Sequence, residues 1–212
     1  MLGRSISRNS LLLALFAVVT TFLIAGAYLQ TRDRIALSQR QAEERALLEI
    51  IPASRHDNSM LDDTLPISAG VLGLRADKKI YLAIQDGETV AVIIPATAAD
   101  GYSGDIDLII GVNRDGTVAG VRVLNHKETP GLGDKVDLKK SDWVLGFNGR
   151  SLGNPDVPGW AVKRDKGVFD QFTGATITPR AVVGTTLEVL QYAKAQHKTL
   201  FANQAASSTG DQ

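Results

Sequence analysis

The sequence predicts an α+β protein, with one N-terminal transmembrane helix followed by a single domain of antiparallel hairpins with flanking helices. Residues 11–29 form an uncharged and almost wholly apolar run that has the length of a membrane span. Residues 79–124 alternate strand-forming stretches with tight-turn residues, and apolar residues recur at helical spacing after residue 178. The remaining chain is long enough for one domain with a proper core, and two full domains are not expected.

The apolar run from Leu11 to Leu29 is predicted to be a transmembrane anchor. A cleaved signal peptide is the alternative, because Arg4 and Arg8 would form its basic region and residues 25–27 a small-residue cleavage site. The length of the run favours a retained anchor. Arginines lie on both sides of it, so the positive-inside rule does not fix its orientation.

Residues 30–66 are predicted to be a membrane-proximal helix and loop. Apolar residues recur among charged ones over residues 35–51, which indicates a helix that continues from the membrane, and Pro52 stops the pattern. The polar run at 53–66 is predicted to be a loop. The domain proper is therefore expected to span residues 67–202, and the polar tail at 203–212 is predicted to be disordered.

The first predicted hairpin joins strands at 79–85 and 89–94. Asp86 and Gly87 lie between the two strands, and an Asp-Gly pair is a strong signal for a tight hairpin turn. This hairpin opens the domain.

The second predicted hairpin joins strands at 106–112 and 117–124 through the turn residues 113–116. In its return strand the apolar positions change from one face to the other. Because strand side chains alternate strictly, this change predicts a bulge near Ala119 and Gly120.

A further helix is predicted to begin with Thr178 as the N-cap and Pro179 in the first helical position. The first N–H groups of a helix lack intrahelical partners and carry the positive end of the helix dipole. A phosphate held by a nearby hydroxyl would therefore lie in a favourable field. Gly174 and Ala175 add little bulk beside such a phosphate. From local chemistry alone, this segment is also consistent with a common strand-to-helix turn that carries a capping hydroxyl.

The residues at 170–176, Asp-Gln-Phe-Thr-Gly-Ala-Thr, resemble the covalent flavinylation signature of bacterial FMN-binding domains. The resemblance implies that a periplasmic flavin transferase, with FAD as donor, joins FMN to the oxygen of Thr176 through a phosphoester. The sequence departs from the family at Pro179, where members often carry Ser. The other residues that would shape the turn are Thr173, Gly174 and Ala175.

The run Glu-Thr-Pro-Gly-Leu-Gly at 128–133 resembles a second motif of the same domain. A proline followed by two glycines predicts a rigid loop whose backbone can approach a flat ligand closely. A structural turn after a strand is the alternative. The residues that the resemblance places beside the flavin ring are Glu128, Thr129, Pro130, Gly131, Leu132 and Gly133.

Lys163 is predicted to lie in a short strand, 160–163, just before the attachment turn. It is placed either beside the flavin phosphate or ring, or in a surface ion pair with an acid such as Asp165. The stretch from 136 to 160 is interrupted by glycines and prolines and is predicted to be irregular. Trp143 is either a core residue or a cover for a flavin edge, and core is favoured because a lone Trp is usually a packing residue.

Over residues 101–201 and the anchor, the chain resembles the G subunits of Rnf ion-translocating ferredoxin:NAD oxidoreductase complexes. The C subunits of sodium-translocating NADH:quinone reductases are similar in the same features, and the short length of this chain favours Rnf. The resemblance implies a single-pass protein of the bacterial inner membrane, with residues 1–10 cytoplasmic and the FMN-binding domain periplasmic. It would be one electron relay among other subunits of a membrane complex rather than a complete enzyme.

Several other functions are excluded by composition and spacing. Basic and acidic residues balance at 23 each, so there is no strong positive field to attract nucleic acid. The absence of Cys excludes thiol catalysis and Cys-ligated metals. The three His are far apart, so no metal site is predicted, and no nucleotide-binding glycine motif is present. An anchored binding or scaffolding module without redox turnover remains the alternative from another functional class.

Overall fold

The computed structural model describes residues 2–202, and its contacts divide the chain into two compact units, Met1–Arg45 and Ala46–Gln212. The first unit belongs to helix α1, Leu2–Ile50. Within α1, the stretch Asn9–Arg32 is long and apolar enough to cross a membrane, with a mean hydropathy of 2.3. A signal sequence would have the same length and composition. The tail at 203–212, predicted to be disordered, lies outside the described residues.

The second unit is built on a five-stranded antiparallel sheet whose strands lie in sequence order, which confirms the α+β prediction. The strands are β1 Thr64–Ile67, β2 Lys78–Gln85, β3 Glu88–Ala98, β4 Ile106–Asn113 and β5 Val118–Asn125. The prediction of a loop over 53–66 is wrong at its end, because β1 pairs with β2 there. Pro66 argued against a strand in the sequence, because proline cannot donate a hydrogen bond to a neighbouring strand. β1 tolerates Pro66 because this strand lies at the edge of the sheet.

The predicted bulge is present in β5. Gly111 pairs with Gly120 and Val112 with Val118, so Ala119 is the extra residue. The bulge lets the apolar side chains on both sides of it face the core.

Both faces of the central strands are buried. Val92 and Ile94 of β3 lie in the main core, on the face covered by helix α2, Ile177–Ala195. Ile93 faces the other way and packs with Leu47 in the last turn of α1 and with Ile51 just after it. The compact unit therefore begins at Ala46, upstream of the boundary at residue 67 that the sequence suggested.

After β5 the chain crosses residues 126–176, here called the loop half, before entering α2. It contains short 3₁₀ turns at Gly133–Val136, Asp142–Phe147, Val157–Gly159 and Lys163–Asp165. The predicted strand at 160–163 is wrong. Val162 forms only an isolated bridge with Phe169, beside which the Lys163 amide donates to the Phe169 carbonyl at 2.7 Å. The chain then turns at Lys163–Asp165, where the Asp165 amide donates to the Val162 carbonyl at 2.8 Å.

An aromatic cluster holds the loop half together. The rings of Phe147 and Phe169 stack with centroids 4.6 Å apart, and Trp160 lies 5.2 Å from Phe169. Trp143 meets Phe147 edge to face at 5.2 Å. Phe172 lies 5.1 Å from Trp143 and joins the cluster to the turn before α2. These contacts stabilise a segment that lacks the hydrogen-bond ladder of a sheet.

Candidate functional site

Three segments of the chain surround a cavity of about 220 Å³ at the start of α2. They are the loop at 101–104 between β3 and β4, the loop at 128–133 after β5, and residues 174–178. The described residues that line the cavity are Tyr102, Glu128, Thr129, Leu132, Gly133, Gly174, Ala175, Thr176, Ile177 and Thr178. Both sequence motifs therefore meet at one place.

The start of α2 differs from the sequence prediction. The N-cap position is Thr176, and its side chain makes no capping hydrogen bond. Thr178, predicted to be the cap, lies inside the first turn, is fully buried and donates its hydroxyl hydrogen bond to Glu128. Pro179 is tolerated in this turn because its missing N–H would have no intrahelical partner there.

Glu128 connects the three segments. Its side chain is buried, at 4% exposure. Its Oε1 accepts the backbone N–H of Ser103 at 2.8 Å, and its Oε2 accepts the hydroxyl of Thr178. A Cβ on Gly133 would lie 2.8 Å from both Glu128 Oε2 and Thr178 Oγ1. Gly133 is therefore required for space at this bond.

The turn at 170–176, which contains the Thr-Gly-Ala-Thr motif, is held at its start and in its middle. Trp143 donates from Nε1 to the Asp170 carbonyl at 2.8 Å, and the Ala175 amide donates to the Phe172 carbonyl at 3.1 Å. Gly174 has a φ of +81°, a backbone conformation that favours glycine. Trp143 packs against the core, as predicted, and is not among the cavity-lining residues.

The hydroxyl groups around the cavity differ in what they can do. The Thr178 hydroxyl is buried and bonded to Glu128, whereas the Thr129 side chain is exposed on the loop at 128–133. Thr176 is half-buried, lines the cavity and lies at the positive end of α2 with no capping bond to occupy its hydroxyl. Thr176 therefore combines access to the cavity with a favourable field for a phosphate.

Four predicted site residues lie outside the cavity lining. Thr173, Pro130 and Gly131 are exposed on the two motif loops, so contact between them and a cofactor stays a prediction. Lys163 forms an ion pair with Asp170 at 2.6 Å, not with Asp165.

Asp165 pairs instead with Arg180 in the first turns of α2, through two contacts of 2.5 and 2.7 Å. The hydrogen bonds from Arg180 lower the pKa of Asp165 below its usual value.

Three lining residues were not predicted as site residues: Tyr102, Ile177 and Thr178. Ile177 and Thr178 directly follow the motif at 170–176, and their sequence pattern suggested only the start of a helix. Tyr102 lies in a short loop between Gly101 and Gly104 and is exposed. The only sequence feature that could have indicated a site residue is an aromatic side chain in a glycine-rich turn.

The residues present suit FMN. The cavity is smaller than the range of about 300–1,000 Å³ that encloses a whole ligand, so an FMN held here would stay partly exposed. Small side chains leave room at the turn, and the helix start provides a positive field for the phosphate. Over residues 2–202, no group of metal-ligating side chains could hold a metal ion.

Both the N-terminal segment and the domain that contains the cavity resemble known proteins. Residues 101–191 match the model of the FMN-binding domain family, and residues 1–50 match the RnfG N-terminal region. The chain is 51% identical over 205 residues to the G subunit of an ion-translocating oxidoreductase complex of Pseudomonas aeruginosa, and the match covers 96% of both chains. The corresponding G subunit of Pseudoalteromonas atlantica is 49% identical, over 93% of this chain and 92% of the relative. That of Vibrio cholerae is 44% identical, over 94% and 95%.

These matches extend over both the N-terminal helix and the domain that contains the cavity. They distinguish the Rnf relatives from the quinone reductase proteins that the motifs alone also resembled. The chain therefore belongs to the family of G subunits of ion-translocating oxidoreductase complexes of the Rnf type, and it carries their FMN-binding domain.

Proposed function

We propose that this chain is a membrane-anchored electron carrier that holds FMN through a phosphoester to the Oγ1 atom of Thr176. The observation that carries the proposal is the position of Thr176. Its half-buried side chain lines the cavity at the N-terminus of α2, and its hydroxyl makes no capping bond. The match to the FMN-binding domain family supports the choice of cofactor.

In the attachment reaction, Thr176 Oγ1 forms the new bond to the FMN phosphorus of FAD. The bond between that phosphorus and the bridging oxygen breaks, and AMP leaves with that oxygen. The hydroxyl proton passes to a base of the flavin transferase. The attached FMN supplies reversible uptake of electrons, which protein side chains do not provide. The first turn of α2 and the turn at Gly174 would hold the phosphate end.

Partial exposure of the cofactor suits exchange of electrons with neighbouring subunits. Tyr102, Leu132 and Ile177 are exposed apolar residues at the cavity. The relatives are named as subunits of ion-translocating oxidoreductase complexes. We propose that this chain is one relay in such a complex, which couples electron transfer between ferredoxin and NAD to ion translocation.

The proposed location follows from the anchor and from the maturation reaction. Residues 11–29 would span the bacterial inner membrane once, with residues 1–10 in the cytoplasm. The domain at 67–202 would lie in the periplasm, where the flavin transferase acts. The apolar stretch Asn9–Arg32 supports a membrane span by its length and composition.

Intact mass of the full chain, purified from cells with an active flavin transferase, tests the proposal. We expect an increment of FMN size, and peptide mapping across residues 172–180 should place it on Thr176. Thr176→Ala should lose the increment, whereas Thr176→Ser, which keeps a hydroxyl, should retain part of it. Loss of the flavin in Thr176→Ala should leave the thermal unfolding midpoint of the apoprotein unchanged.

An unmodified wild-type chain would contradict the proposal and favour an anchored binding or scaffolding module. An increment that stays in Thr176→Ala would refute the assignment of Thr176 while leaving the covalent flavin in place. Peptide mapping would then identify which other threonine of the turn carries it.

A further inference from the structure

Glu128 is the one acidic residue among the described residues that line the cavity, and none of the others is a Lys, Arg or His. Its side chain is 4% exposed, so solvent screens it poorly. A carboxylate at this depth acts on a neighbouring group more strongly than a surface charge does.

Two hydrogen bonds fix the carboxylate in place. The donors belong to different parts of the chain, the Ser103 backbone before β4 and the Thr178 hydroxyl in α2. The Glu128 amide also donates to His126 Nδ1 at 3.1 Å, which holds the backbone of the same residue. Donated bonds to both oxygens suit an ionised carboxylate, which only accepts. The group is therefore held beside the cavity and cannot turn away from it.

Lys127, next to Glu128 in sequence, is exposed and acts on Asp105. Three cations on neighbouring segments form ion pairs with other acids. Arg75 pairs with Asp105, Lys163 with Asp170 and Arg180 with Asp165, all at exposed positions. Such surface pairs are screened by water and salt. The buried carboxylate is the charge that a cofactor in the cavity would meet.

We propose that Glu128 lowers the reduction potential of the FMN held at Thr176, an inference that rests on the proposed function. Full reduction adds two electrons to the isoalloxazine ring. With one added proton the reduced ring is negatively charged, and a second proton is needed to keep it neutral. A fixed carboxylate in the lining of the cavity that would hold the cofactor disfavours that increase in negative charge. The oxidised form is stabilised relative to the reduced form, so the carrier passes its electrons on more readily. Glu128 acts here as a tuning residue rather than a catalytic one.

The test compares the wild-type chain with Glu128→Gln, which keeps the shape and the acceptor oxygen but removes the charge. Both full-length proteins, with the FMN increment verified by intact mass, are titrated with dithionite and redox mediators while flavin absorbance is recorded. We expect Glu128→Gln to shift the ratio of reduced to oxidised flavin at least tenfold toward the reduced form. For a two-electron couple this equals a rise of about 30 mV in the midpoint potential.

Two further variants separate charge from structure. Asp134 is buried on the same loop but does not line the cavity, so Asp134→Asn should shift the potential by less than half as much. Glu128→Asp restores the charge and should return the potential toward the wild-type value. If Glu128→Gln does not fold, Glu128→Met, a neutral residue of similar length, replaces it. Equal potentials in wild type and the neutral variant would overturn the inference and leave Glu128 a structural role.

The outcome also distinguishes this inference from the proposed function. A wild-type chain without the mass increment contradicts the covalent attachment at Thr176. Free FMN is then added to the same unmodified wild-type and Glu128→Gln proteins, and the titration is repeated. A higher potential in the variant would still support the inference. Absence of FMN binding, or equal potentials, would overturn it.

Discussion

The sheet and the loop half are stabilised in different ways. From 64 to 125, each strand is hydrogen-bonded to its neighbour, and the central strands are buried on both faces. From 126 to 176, short turns, isolated bridges and an aromatic cluster replace the ladder. Among the described lining residues of the cavity, the strand half contributes only Tyr102. The functional site therefore lies on the part of the domain with the least regular structure.

The difference has a physical reason. In a sheet, the backbone N–H and C=O groups are used by the ladder, and side chains alternate between two covered faces. A cavity for a flat anionic cofactor needs close backbone approach and a helix start whose N–H groups are free. The loop half and the first turn of α2 together meet both needs, because ring packing, rather than a ladder, determines the shape of the loop half. The sheet supports it without taking part in the chemistry.

The largest expected effect comes from removing a ring of the aromatic cluster. Phe147 is fully buried and contacts three other rings of the cluster, so Phe147→Ala should destabilise the protein by about 3–5 kcal/mol. It should also reduce FMN attachment at Thr176, because the loop half loses its support. Chemical denaturation and intact mass measure the two effects.

Ile93→Ala is the matched change in the sheet. Ile93 is equally buried, on the face covered by the last turn of α1, and its loss should cost about 2–5 kcal/mol. At a temperature where both variants are folded, Ile93→Ala should be flavinylated as well as wild type. If both variants lose FMN to the same extent, the separation of the two halves is wrong.

A smaller effect is expected at the bond between Glu128 and Thr178. Gly133→Ala would place a methyl group 2.8 Å from oxygens of both residues and should destabilise the protein by about 1–3 kcal/mol. FMN attachment should fall with it. Gly146→Ala is the control, because its added Cβ has no atom within 4 Å. Thermal unfolding and mass of both variants give the comparison, and equal behaviour would contradict the assigned role of Gly133.

Removing the hydrogen bond between Trp143 and the turn at 170–176 should have a smaller effect still. Trp143→Phe keeps a ring in the cluster but removes the 2.8 Å hydrogen bond from Nε1 to the Asp170 carbonyl. We expect a loss of about 0.5–1.5 kcal/mol in unfolding free energy. The rate of FMN attachment should fall slightly, since the turn begins at Asp170. An unchanged unfolding midpoint would show that water replaces the bond without cost.

The smallest expected effect concerns the exposed pair of Asp165 and Arg180. Because the pKa of Asp165 is lowered in the folded state, its contribution is present above the unfolded pKa of about 3.9. That contribution is lost as pH falls through the lower folded value. The difference in unfolding midpoint between wild type and Asp165→Asn should therefore shrink as pH falls below about 4 and disappear below the folded pKa of Asp165. High salt at pH 7 should reduce the same difference.

The features that the sequence predicted well are local ones. The turn at Asp86 and Gly87 joins β2 to β3, and both residues have positive φ, as a tight hairpin requires. The bulge at Ala119 followed from a change of apolar face within one strand. Such patterns depend on residues close together in the chain, so the sequence contains the whole signal.

The features that were missed depend on distant partners. Thr178 precedes a proline and resembles a cap, but its hydroxyl bonds to Glu128, fifty residues upstream. Lys163 lies near both Asp165 and Asp170 in sequence. Sequence order alone did not reveal that Asp165 pairs with Arg180, which leaves Lys163 to pair with Asp170. The cavity itself is formed by three segments whose meeting no local pattern describes.

The burial of the last turn of α1 under the sheet has a consequence for protein engineering. A soluble fragment for spectroscopy or crystallisation is best cut upstream of Ala46, where the compact unit begins. A cut at residue 67 would remove Leu47 and Ile51, which cover Ile93. The uncovered apolar face would then be exposed to solvent, and we expect such a fragment to aggregate even though it retains the described residues that line the cavity.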